Sequence, residues 1–148
     1  MKRVEQLDES IRVIASVAIG KDCKIPLINE QEEPYHGRWV LPQGYVKTCE
    51  QVPDAARREV KEELRVEVEL QGLVGVYDDF ISEGTGNTHY LFVCYSGKLV
   101  GAANPRPTPE AVDMVWVDPA RGSFDSPDVA RRMLTDASKL GRRRFRYR

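Results

Sequence analysis

The sequence predicts an α/β domain in which a mixed β-sheet carries helices packed on its faces. Three observations support this: β-rich runs recur along the chain, two segments show helical periodicity between them, and the connections are short and marked by glycine and proline. With 148 residues the chain can bury one sizeable core. No apolar run approaches the roughly 20 residues of a membrane span.

"IRVIASVAIG" (11–20) and "KIPLINE" (24–30) are strand-like and separated by a turn near Gly20–Asp22, which predicts a hairpin. "QEEPYHG" (31–37) is a loop. "RWVLPQGYV" (38–46) begins as a strand and is broken at Pro42 and Gly44, so the chain turns there. A helix is expected from Val52–Pro53, because proline is tolerated in the first turn and Asp54 suits the dipole, to about Leu64. Two longer strands follow, 66–80 and 88–100, joined by the loop "SEGTGN", which Asp78, Asp79 and Glu83 flank. "GAANPRPTP" (101–109) holds three prolines and cannot be a central strand. "EAVDMVWVD" (110–118) alternates as a strand does. The last helix is expected over 126–140, with Ser126 as N-cap, Pro127 at its first position, and Val129, Ala130, Met133, Leu134, Ala137 and Leu140 on its buried face. Trp39 and Trp116 read as core.

Composition narrows the chemistry. The chain has three cysteines, with no CxxC pair, and two histidines, so thiolate and imidazole metal frameworks are disfavoured. The cysteines read as buried thiols in a reducing cytosol, and the polar opening "MKRVEQLDES" does not resemble a secretion signal. A cytoplasmic protein without a membrane partner is therefore expected. The last seven residues, "RRRFRYR", contain five arginines, and leaving them out takes the formal charge from −1 to −6. We divide the chain into a domain over 1–141 and a basic tail over 142–148, whose plain reading is a solvated, disordered terminus. Arginines interleaved with aromatic rings also suit RNA, and that contact stays open.

Chemistry concentrates in "GYVKTCEQVPDAARREVKEELRV" (44–66). On a helix Glu59, Glu62 and Glu63 share one stripe, while Val60 and Leu64 turn to the core. Each like pair costs an isolated helix roughly 0.2–0.5 kcal/mol, so the stripe wants a cation. A face built for solubility would interleave signs, yet Glu59 meets Glu63, and Arg57 meets Lys61, at i,i+4.

The same residues carry a family pattern: Gly44, five residues, Glu50, seven residues, Arg58-Glu59, Val60, one residue, Glu62-Glu63, then position 65 and Val66. This resembles the Nudix box at every fixed position except one, where Arg65 replaces glycine; upstream, Gln43 stands where glycine is more usual. The resemblance implies a Nudix α/β/α sandwich and a pyrophosphohydrolase that breaks a P–O–P bond by water attack on phosphorus. It implies Mg²⁺ or Mn²⁺ held by Glu59, Glu62 and Glu63 with the Gly44 carbonyl. It also implies a Glu50–Arg58 pair that orients Glu59. Oxygen ligands and substrate phosphates are what Mg²⁺ prefers. Glu59 is the first choice of base and Glu110, just before a strand, the second.

Tyr35, His36 and Arg38 lie in the loop ahead of the box, and Tyr35, Arg38 and Gln43 are taken as substrate contacts. Arg65 is expected to affect the helix end rather than the chemistry. Substrate choice between an ADP-ribose-like sugar nucleotide and a nucleoside triphosphate stays open, and a homodimer is compatible with the resemblance. The competing class is a module that senses a nucleotide, or binds RNA, without catalysis.

Overall fold

In the computed structural model, residues 11–83, 86–121 and 125–146 are described, the side chains of 83 and 141–146 excepted. The elements run β1 (Ile11–Ile19), β2 (Ile25–Asn29), β3 (Trp39–Val40), β4 (Gln43–Tyr45), α1 (Val52–Leu64), β5 (Val68–Glu83), β6 (Gly86–Leu99), β7 (Met114–Val117) and α2 (Asp128–Arg146).

A four-stranded sheet has the order β4-β1-β6-β5, and a three-stranded sheet the order β3-β2-β7. β1 and β6 are parallel, while the other pairings are antiparallel, so the larger sheet is mixed as expected. An interior strand that is covered on both faces reads as a continuous apolar run, which is why Ile14 to Ile19 are all buried. Helix α1 packs on β1 and β4, and α2 packs on β5, where Tyr77 donates its hydroxyl to Asp136 at 2.6 Å. Phe92, Leu27, Ile28, Leu64 and Met133 are fully buried between the layers.

The expected first hairpin is corrected. The turn forms, with Lys21 bridging Lys24 around Asp22 and Cys23, but β1 and β2 then part into different sheets. Asp78 and Asp79 do not flank a loop: β5 continues through them to Glu83, and residues 84–85 of the expected loop lie outside the described residues.

Helix α1 begins at Val52 and ends at Leu64, with Pro53 in its first turn and Gln51 as an N-cap that makes no side-chain bond. Helix α2 departs from expectation at both ends. The helix begins at Asp128 and Arg131 N–H bonds to the Pro127 carbonyl, so Pro127 and not Ser126 stands at the cap position; the Ser126 hydroxyl donates to the Trp39 carbonyl at 2.6 Å. The helical backbone continues to Arg146, into the segment read as a disordered tail; 147–148 and the tail side chains that would meet RNA lie outside the described residues.

Among the cysteines, Cys94 is buried whereas Cys23 and Cys49 are exposed, against expectation. Trp39 packs half-buried against the core, while Trp116 lies in a surface recess with Lys21, Asp22 and Lys24. No helix among the described residues is long and apolar enough to cross a membrane.

Candidate active site

Strand β4 and helix α1 face each other across the turn at 46–51, and this pairing builds the site. Gly44 lies opposite Ala15 on β1, and bonds from the Val17 N–H to the Pro42 carbonyl and from the Val46 N–H to the Val13 carbonyl tie both ends of β4 to β1. Glu59 comes so close that a side chain at position 44 has no room: an added Cβ would stand 2.1 Å from its Cδ. Glycine is required there for close approach, and its φ is not positive.

Arg58 is the hub. Its Nε and Nη2 grip Glu50 at 2.8 and 2.9 Å, Nη2 also bonds the Tyr45 carbonyl at 3.0 Å, and Nη1 reaches Glu59 at 2.7 Å and Glu62 at 3.2 Å. A fork with two parallel bonds to one carboxylate fixes both partners in direction as well as distance. The Arg58 guanidinium holds the Glu50 carboxyl down at about 2, helped by the Lys47 N–H.

Glu63 is 4% exposed and accepts the Gln43 N–H at 3.0 Å. Burial pushes its carboxyl well above the usual range, and Glu59 and Glu30 add repulsion. Burial also raises the Glu59 carboxyl to about 7; Arg58 opposes the rise, and Glu62 and Glu110 add to it.

A cavity of about 440 Å³ is lined by Gly44, Glu59, Glu62, Glu63 and Glu110 together with Gln43 and Arg58. Glu110 arrives from far along the chain. The Arg106 and Thr108 N–H groups bond the Leu64 and Glu63 carbonyls, and the Thr108 hydroxyl bonds that of Glu62, so the proline-rich loop docks on the open end of α1. That docking carries Glu110 to the cavity.

The expected substrate contacts divide. Gln43 is buried, with Ser16 donating to its side-chain oxygen at 3.2 Å, and lines the cavity floor. Tyr35 also lines it, but the ring is buried against Tyr90 and Phe92 and its hydroxyl donates to Asp79, so it is a wall and not a free donor. Arg38 is not brought to the cavity; it pairs with Asp125 at 3.2 Å.

Among the lining residues that the sequence did not mark are Glu30 and Lys47. Glu30 accepts the Gln31 and Glu32 N–H groups, and burial raises its carboxyl. Neither has a sequence signal beyond proximity to the box.

The donor set is oxygen only, which fits Mg²⁺ or Mn²⁺. Among the described residues, however, no three acidic, histidine or cysteine side chains are gathered at metal-binding spacing. Arg58 Nη1 occupies the space between Glu59 and Glu62, and Glu63 is turned to the Gln43 N–H.

A Nudix domain model matches residues 11–136. The chain belongs to the Nudix family. Its box supplies the Arg58 hub and the acidic face of the cavity. It is 42% identical over 83 residues to an ADP-ribose pyrophosphatase of Methanocaldococcus jannaschii, a stretch that covers 56% of this chain and 48% of that protein. The chain thus spans about half the length of this curated relative. A MutT Nudix hydrolase from Burkholderia pseudomallei superposes with a TM-score of 0.75 at 30% identity, over 86% of this chain and 98% of that one. A MutT protein from Methanosarcina mazei shares the fold, with a TM-score of 0.77 at 19% identity over 91% and 98% of the two chains. The sandwich expected from the sequence is the fold these Nudix structures have.

Proposed function

We propose that the chain is a divalent-metal-dependent pyrophosphohydrolase acting on a nucleoside diphosphate linked to a further group, with ADP-ribose-like sugar nucleotides as the first substrate class. One observation carries this reading: Glu59, Glu62, Glu63, Glu110 and the Gly44 backbone line one cavity, at a strand and helix so close that only glycine fits between. The sugar-nucleotide choice is supported by the relative named as an ADP-ribose pyrophosphatase. Nucleoside triphosphates are the alternative within the same chemistry.

Glu59, Glu62, Glu63 and the Gly44 carbonyl would hold Mg²⁺ or Mn²⁺. Once bound, the ion would neutralise charge on the diphosphate and lower the pKa of water. The protein's own part is positional. Glu50, fully ionised, locks Arg58, and Arg58 in turn sets the direction of Glu59. The Gln43 N–H fixes Glu63. Glu59 is the first candidate to accept the proton of the attacking water as general base, and Glu110 is the second. The water oxygen bonds to phosphorus, the bridging P–O bond breaks, and two monophosphate products leave.

The test is product release from a panel of nucleotide diphosphates with Mg²⁺, comparing the parent with Glu63→Gln. Turnover by the parent that collapses in the variant is expected. Unchanged turnover in the variant removes the site assignment. Tight binding without turnover in the parent favours a sensor.

A further inference from the structure

The cavity wall is electrostatically one-sided. Besides Glu59, Glu62, Glu63 and Glu110 it carries Glu30, Glu32 and Glu33, and its lining cations are Arg58 and Lys47. A diphosphate entering this field gains from protein donors of positive charge in addition to any bound metal ion.

Arg58 has none to spare. A guanidinium has five N–H groups, and the Arg58 bonds to Glu50, Glu59, Glu62 and the Tyr45 carbonyl engage all of them: one from Nε, two from Nη1 and two from Nη2. Lys47 is the opposite case. Its backbone N–H is anchored on Glu50 at 3.1 Å, which fixes the root of the side chain at the cavity rim. The residue is exposed, and its ammonium forms no salt bridge among the described residues, although Glu50 feels its charge. Three rotatable donors on a flexible stem, beside a cavity of carboxylates, are suited to a phosphate oxygen.

We propose that Lys47 contacts the non-bridging oxygens of the substrate diphosphate and is the main protein cation that recruits anionic phosphate to this cavity. This rests on the hydrolase reading above and adds to it a residue outside the box's fixed positions. A contact made equally in the bound substrate and in the transition state lowers KM and leaves kcat nearly unchanged.

The experiment compares the full chain with Lys47→Gln and Lys47→Arg on two readouts. One is KM and kcat for ADP-ribose with Mg²⁺. The other is the affinity, by calorimetry with Mg²⁺ present, of an ADP-ribose analogue with a methylene bridge that cannot be hydrolysed. Lys47→Gln is expected to raise KM and weaken analogue binding roughly tenfold or more, as loss of a charged hydrogen bond does, with kcat within about threefold. Lys47→Arg is expected to recover most of the loss, and the salt sensitivity of analogue binding to shrink in Lys47→Gln.

Unchanged KM and unchanged analogue affinity in Lys47→Gln overturn the proposal, as does a fall in kcat alone, which would mean that Lys47 acts through Glu50. The hydrolase reading fails separately. If the parent turns over no nucleotide yet binds the analogue in a Lys47-dependent way, Lys47 stands as a phosphate contact and the catalytic assignment does not.

Discussion

The Glu59 carboxylate is packed against the α-carbon of Gly44, so that a Cβ at position 44 would meet both carboxylate oxygens at 2.3 Å. Backbone and base candidate are therefore one geometric unit. Gly44→Ala is expected to push Glu59 off its station, lower kcat/KM at least 100-fold, and destabilise the fold by about 1–3 kcal/mol through overpacking. Steady-state kinetics and thermal melts check both. Activity like the parent's would show that Glu59 does not need this position.

The raised carboxyls of Glu59 and Glu63 make a prediction about pH. Both fold with pKa values above the unfolded one of about 4.3, so the folded state binds their protons more tightly. Their contribution is fully present below the unfolded value and is lost as pH rises through about 7, the Glu59 value. Metal-free protein should melt at lower temperature at pH 8 than at pH 5.5. Mg²⁺ should reverse most of the loss and release protons on binding near pH 6.5. A melting temperature flat across this range in the parent would contradict it, and Glu59→Gln should flatten the slope.

Glu50 has the opposite sign. Its folded pKa of about 2, depressed by the Arg58 fork, gives stability that is present above the unfolded value and lost as pH falls toward 2. Arg58→Lys cannot make the two-point grip. The variant should show a flatter acid limb in melts between pH 2 and 6. Its kcat should also be roughly 10- to 100-fold lower, because Glu59 loses its guide.

Arg65, at the C-cap of α1, is held at φ 57° and ψ 29°, the left-handed region that glycine occupies without strain. The expectation that this position bears on stability rather than chemistry leads to Arg65→Gly, which should stabilise the protein by about 1 kcal/mol. Arg65 does not line the cavity, so kcat should stay within a factor of two. Denaturant melts and kinetics decide it; a destabilised variant would mean that the exposed side chain makes a contact worth more than the strain.

The reach of sequence reasoning followed the distance over which each feature is encoded. Helix α1 was legible to the residue, because Pro53, the acidic stripe and the apolar face lie within a few turns. The Arg38 partner was not legible: Asp125 is 87 positions away, and nothing local marks the pair. Ser126 has the composition of a cap, but α2 begins at Asp128, one residue too late for it, and its hydroxyl is tied to the Trp39 carbonyl, a partner 87 positions away. Asp78 and Asp79 have turn chemistry, which the pairing of β5 with β6 overrode.

By itself the chain determined which residues form α1 and which carboxylates share its stripe, since helical period acts over a few residues, whereas the need for glycine at 44 comes from Glu59 packing against it. Only the tertiary structure decided that Glu110 joins those carboxylates, that Arg58 spends its donors on Glu50, Glu59, Glu62 and the Tyr45 carbonyl, and that Lys47 stands exposed at the cavity rim. These depend on loops docking across the fold and on which hydrogen-bonding groups remain unsatisfied once it closes, and no local pattern encodes either.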